Sequence, residues 1–310
     1  MYSMTSDLPA TINAAASGTW TLGDRTVHRI GFGTMRLPQT GPALTPDAVP
    51  RDRDQAIAVL RRAVELGVNH IDTAAFYFSP LRSANELINR ALAPYPDDLV
   101  IATKVGPARG LDGSWEEHAR TPERLRAQVE ENLRQLGRDH LDLVNLRILG
   151  TDSIAERFGA LAELQKAGLI RHLGLSNIRP HHLAEARDIA PVVCVQNPYG
   201  IGASAEQDEV LRLCGEQGIA FVPFYAIAGA GRERGTGAAG TGEPPQVEAV
   251  AKAHGVSAAQ VRLAWTLHRG PHVLAIPGTG DLAHLADNIA AGALHLSADD
   301  LALLNAAHAG

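Results

Sequence analysis

Residues 29–51 read "RIGFGTMRLPQTGPALTPDAVPR", a short apolar run that turns through Gly31 and Gly33 and then enters a long Pro/Gly segment. An open, doubly wound sheet that binds a dinucleotide carries GxGxxG directly after its first strand and leads into a helix. Here the turn is "GFGTMR", and no helix-period segment follows it at once. The open sheet is therefore disfavoured. The other architecture built from alternating strands and helices is a closed (β/α)8 barrel, the TIM barrel.

Working outward, short apolar runs at 29–34, 70–73, 99–104, 141–147, 172–176, 192–197, 220–224 and 273–277 read as strands. Between them lie segments at 54–66, 122–136, 153–166, 181–189 and 206–216 whose apolar residues recur every three or four positions, as in amphipathic helices. Gly67, Gly137, Gly168 and Gly218 stand just past such segments, where left-handed caps are expected. Thr121-Pro122-Glu123 and Ser257-Ala258-Ala259 have the composition of helix starts. Strands each followed by a helix pair in parallel, since parallel neighbours need a crossover. "GTWTLGDRTVH" before the first strand reads as a hairpin able to close the N-terminal end of the barrel. Segments 262–268 and 298–307 add helices near the C-terminus. The expected architecture is one α/β domain over 1–310, with 1–17 as a flexible extension. The Gly-rich run 228–245 is too long for a turn and reads equally as a disordered insertion or a flap over a ligand.

Composition narrows the function. The chain has 310 residues, 45% hydrophobic content and a net charge of −6 with no acidic or basic run. Nucleic acid and anionic membranes are not its expected partners. Two cysteines without CxxC spacing argue against a disulfide scaffold or structural zinc. No basic n-region with an apolar core begins the chain, and no apolar run spans a bilayer, so a cytoplasmic location is expected.

The active face of such a barrel is formed by the C-terminal strand ends. Asp72 ends strand two, with Tyr77 in the loop beyond; Lys104 ends strand three and Arg147 strand four. Ser176 and Asn177 end strand five, Gln196 strand six, and Phe224 and Tyr225 strand seven. A lysine after five small or apolar residues needs a counter-charge, and Asp72 is one strand away. A cation beside a phenol lowers its pKa, so Tyr77 is a candidate general acid for a developing alkoxide. Arg147 can stabilise the same oxygen. A hydride must complete such a reaction; Ser176, Asn177 and Gln196 suit a carboxamide, and Phe224 or Tyr225 suits stacking on a nicotinamide.

Taken together, these motifs resemble the aldo-keto reductases, over about residues 29–291. The resemblance implies a (β/α)8 barrel, NAD(P)H-dependent reduction of an aldehyde or ketone, and a Tyr–Lys–Asp–His tetrad. Asp72 matches the aspartate of the family's DTA motif, Tyr77 the proton donor and Lys104 the lysine. "GLSN" (174–177) resembles the family's GVSN, which makes Ser176 and Asn177 carboxamide contacts, with Gln196 in the same role. Gly33, Thr34 and Met35 match the segment beside the nicotinamide ribose, and Phe224 the stacking aromatic. Asp287 and Asn288 match the family's acidic-Asn pair near the adenine, and Ile276, Gly278, Thr279 and His284 are the other cofactor-binding candidates on this segment.

Two positions depart from the family pattern. Arg147 stands where it has histidine; arginine stays charged, shuttles no proton and can bind an anionic substrate group in a fork. Gly278 and His284 replace a lysine and an arginine that grip the 2′-phosphate, leaving Thr279, His284, Arg232 or Arg234 to hold it. NADPH is the expected cofactor, with NADH possible. Loops 38–51 and 106–120 are expected to shape the substrate pocket, with Trp115 and Phe78 on an apolar wall. Two other readings stand beside the reductase: a nucleotide-binding regulatory subunit with little turnover, and a Schiff-base aldolase using Lys104. The oligomeric state is not legible.

Overall fold

The computed structural model describes residues 12–227 and 243–309. A hairpin, Thr19–Leu22 against Arg25–His28, comes first. Seven parallel strands then form one sheet in chain order: Phe32–Gly33, His70–Asp72, Val100–Val105, Leu141–Arg147, Ile170–Ser176, Val192–Gln196 and Ala220–Phe221. The eighth stave is irregular. Val273 bridges Phe221 and Ala275 bridges Ile30, both in parallel. The Leu274 N–H donates to the Phe221 carbonyl and the Ala275 N–H to that of Arg29, so the sheet closes on itself.

Strands seven and eight are shorter than their apolar runs. Pro223 and Pro277 have no N–H to give to a ladder. Pairing resumes past Pro223, where Phe224 N–H donates to the Asn197 carbonyl at 3.1 Å. Helices fill the crossovers, among them Arg53–Glu65, Ala84–Leu92, Pro122–Leu136, Ala155–Lys166, Pro180–Arg187 and Ala205–Glu216. Pro245–His254, Ala258–His268, Leu282–Ala290 and Ala298–Ala309 follow. The Thr121 hydroxyl accepts from Arg124 N–H at the start of one helix, and Gly137, at φ 63°, ends it.

The two-residue period of a strand sorts its side chains. In strand three, Ile101 and Val105 pack outward with Leu125 and Leu136 of the helical layer. Val100 and Ala102 instead join Leu143, Cys194, Ala220, Val222 and Leu274 inside the barrel. Leu22 and Val27 of the hairpin belong to this interior cluster and stop its N-terminal end. Each such fully buried aliphatic side chain contributes about 1.5–3 kcal/mol. The same alternation brings Lys104 onto the inward face, along with Arg147 after Leu143 and Gln196 after Cys194.

Part of the expected N-terminal extension is tied down. Ala14–Ser17 forms a turn of 3-10 helix, and the Ala14 N–H donates to the Leu66 carbonyl at 2.8 Å. Among the described residues, no helix is long and apolar enough to cross a membrane.

Candidate active site

A cavity of about 470 Å³ opens at the C-terminal ends of the strands. Gly33, Met35, Asp72, Tyr77, Lys104, Arg147, Phe224, Tyr225, Ile276 and Gly278, each singled out from sequence, all line it. The loops expected to shape the pocket contribute Leu44, Pro107 and Trp115. Phe78 does not reach the cavity; it faces a neighbouring groove, under the Arg109 guanidinium at 4.4 Å. Phe76 takes the wall position instead, edge-on to Tyr77 at 5.1 Å and 6.0 Å from Trp115.

At the floor, Lys104 Nζ lies 2.5 Å from Asp72 Oδ1, and their side chains are only 3% and 5% exposed. Lys104 also donates to the Thr73 carbonyl at 3.0 Å. The other carboxylate oxygen of Asp72 accepts from Gln196 Nε2 at 2.6 Å. Burial pulls the Lys104 pKa down, but Asp72 and Tyr77 beside it outweigh that, and the ammonium is held above its ordinary value. Tyr77 stands 4.9 Å, ring centroid to ammonium, from Lys104. Its pKa moves opposite to the expectation from the cation alone: burial raises it, and the pull of Lys104 and Arg147 does not compensate. The phenol is a firmly protonated donor.

A buried polar network holds this pair from behind. Thr73 Oγ1 donates to Asn85 Oδ1 at 2.7 Å, and Asn85 Nδ2 to Asn132 Oδ1 at 2.9 Å. Thr103 Oγ1 donates to the same Asn132 oxygen at 2.5 Å. Thr73 and Thr103 directly follow and precede Asp72 and Lys104, so the network fixes the two strands that carry the charges. Sequence reading missed Asn85 and Asn132; a polar residue on the apolar face of each helix was the available signal.

Arg147 Nη1 donates to Ser176 Oγ at 3.1 Å, and its guanidinium carbon lies 4.8 Å from the Phe224 ring centroid. Thr34 turns its hydroxyl onto the Asp72 carbonyl at 3.0 Å. Asn177, at φ 60°, gives its side-chain N–H to the Ile148 carbonyl. Tyr225, at φ 65°, adopts a left-handed backbone that a bulky residue rarely takes and that clusters at functional sites. Gln196 Oε1 is buried and makes no hydrogen bond among the described residues.

Thr279, His284, Asp287 and Asn288 lie beyond the cavity lining, on the segment after Gly278 and the helix Leu282–Ala290. Asp281 caps that helix, accepting from Ala283 and His284 N–H at 2.8 and 2.9 Å. His284 and Asp287 are exposed and Asn288 is buried. Arg51 reaches this corner from the first loop, its Nη1 3.3 Å from the Gly280 carbonyl. Arg232, Arg234 and most of the Gly-rich run lie outside the described residues.

A bound nicotinamide cofactor fits these residues on one specific observation. The orphaned Gln196 acceptor needs an N–H, and a primary carboxamide supplies one.

Comparison with known proteins agrees with the fold. The chain is 44% identical over 297 residues to pyridoxine 4-dehydrogenase of Escherichia coli, covering 94% of this chain and 98% of that protein. It is 38% identical over 296 residues to an uncharacterized oxidoreductase of Schizosaccharomyces pombe, covering 95% and 91%. Among solved structures, an aldo/keto reductase from Klebsiella pneumoniae in complex with NADP and acetate superposes with a TM-score of 0.77 at 27% identity, covering 94% and 95%. The sequence profile of the aldo/keto reductase family matches residues 29–309, and with these relatives it establishes that the chain is an oxidoreductase belonging to that family.

Proposed function

We propose that this enzyme reduces an aldehyde to a primary alcohol with NADPH, Tyr77 acting as the general acid. The observation that carries the reading is the fully buried Lys104–Asp72 pair set against the Tyr77 phenol in the cavity wall. When bound, NADPH supplies the hydride. Tyr77 gives the proton to the oxygen that becomes the alcohol, and Lys104 stabilises the phenolate left behind. Asp72 neutralises Lys104 and orients it, together with the Thr73 carbonyl. Arg147 draws charge from the carbonyl oxygen, and Gln196 is proposed to accept from the cofactor carboxamide through its unpartnered Oε1 while its Nε2 braces Asp72. Gly33, Thr34, Met35, Ser176, Asn177, Phe224, Tyr225, Ile276 and Gly278 are proposed to surround the nicotinamide half of the cofactor. Thr279, His284, Asp287 and Asn288 are proposed to hold its adenosine end.

Imine chemistry at Lys104 is disfavoured, because an aldolase lysine must be a free amine and this one is held charged. The kinship with a pyridoxine 4-dehydrogenase makes pyridoxal the first substrate to try. The test follows reduced-nicotinamide absorbance with pyridoxal and simple aldehydes in wild type and Tyr77→Phe. Loss of a general acid lowers kcat by about 10²–10⁴-fold. Equal turnover in the variant removes Tyr77 from the chemistry. Tight NADPH binding with no turnover in the wild type moves the protein to the regulatory reading.

A further inference from the structure

Lys104 is cancelled by Asp72, but among the described residues no carboxylate lies within 4.0 Å of the Arg147 guanidinium. The guanidinium is half-buried and lines the cavity beside Phe76 and Phe224, so its charge faces the space a ligand would fill. The group is also held still. Ser176 Oγ takes Nη1, and the Phe224 ring lies 4.8 Å from the guanidinium carbon. Nε and Nη2 make no hydrogen bond among the described residues. A planar fork fixed in this way, with two of its nitrogens unused, matches a pair of oxygens rather than one. Phe76, Tyr77 and Trp115 line the same cavity, an aromatic wall that suits a flat ring.

We propose that Arg147 makes this enzyme selective for aromatic aldehydes that carry an ionised hydroxyl ortho to the carbonyl. The phenolate oxygen pairs with the guanidinium while the adjacent carbonyl oxygen faces Tyr77. This rests on the reductase reading above and specifies its substrate; pyridoxal, with a hydroxyl beside its aldehyde, belongs to the class. It also accounts for arginine in the seat where the family has histidine. A histidine offers one donor there, whereas arginine spans both oxygens and keeps its charge at every working pH.

The experiment compares kcat/KM for 2-hydroxybenzaldehyde and 2-methoxybenzaldehyde with NADPH, above and below the pKa of the free hydroxyaldehyde. Above it, wild type favours the hydroxy compound by about 10–100-fold, the range for a hydrogen bond to a charged group. The ratio falls to within about threefold below that pKa and in Arg147→Gln, while Arg147→Lys retains part of it. Similar wild-type rates for both aldehydes, or a preference that survives Arg147→Gln, overturn the proposal and leave the reductase reading standing. Absence of turnover with every aldehyde refutes the reductase reading instead. Salicylate binding to the NADP-loaded protein then decides the role of Arg147. At least about tenfold weaker binding in Arg147→Gln supports it, and equal binding overturns it. Matching melting curves show that the variants are folded.

Discussion

Replacing Asp72 by asparagine removes the charge opposing Lys104 and changes little else. The new side-chain amide would retain an acceptor for Lys104 Nζ, and Gln196, whose Oε1 has no partner among the described residues, can turn to accept from its NH2 group. What remains is a buried ammonium with only neutral neighbours. Breaking one side of a buried ion pair costs about 3–5 kcal/mol. At roughly 2 °C per kcal/mol for a chain of this size, melting should fall by about 6–10 °C.

The pH dependence gives a second reading of the same variant. In wild type the folded pKa of Lys104 is raised above its ordinary value of 10.5. Its contribution is therefore fully present below that value and is lost only as pH rises through the folded pKa. In Asp72→Asn the desolvation of Lys104 dominates and its folded pKa falls below the unfolded one. The penalty is then largest at low pH and shrinks as pH climbs towards the ordinary lysine value. Thermal melts of wild type, Asp72→Asn and Asp72→Asn/Lys104→Met, recorded from neutral to alkaline pH, check both effects. The double variant buries no charge and should recover most of the loss. A single variant within about 1 kcal/mol of wild type at neutral pH, or a double variant no more stable than the single, would refute the reasoning.

Two further outcomes follow from the same geometry. Because burial raises the Tyr77 pKa above 10.0, kcat for aldehyde reduction should hold through neutral pH and decline only on the alkaline side of 10.0; a decline near neutrality that disappears in Tyr77→Phe contradicts this. His70 is buried against Gly31, and desolvation, with His28 beside it, lowers its pKa to about 4. Its neutral form stabilises the fold fully above the ordinary value of 6.5, and stability falls as pH drops from 6.5 through about 4, by roughly 3 kcal/mol in total. Chemical denaturation across that window should show a slope of about one proton that His70→Leu removes.

Much of this protein was determined by the order of residues along the chain. The absence of GxGxxG after the first apolar run, and the alternation of apolar runs with helical periods, selected a closed barrel. Polar residues at the strand ends then marked Asp72, Lys104 and Arg147, with Tyr77 in the loop beyond, and a two-residue period turns Lys104 and Arg147 inward because each is in step with the inward-facing apolar residues before it. Other features depended on what converges from distant segments. Asn85 and Asn132 come from different helices, and only packing joins them to Thr73 and Thr103. The three aromatics at 76–78 are indistinguishable in sequence, yet the turn after strand two sends Phe76 into the cavity and Phe78 away from it. The Tyr77 pKa was misjudged for the same reason. A neighbouring cation can be read from two positions, but desolvation depends on everything that excludes water from the phenol, and that exists only once the chain has folded.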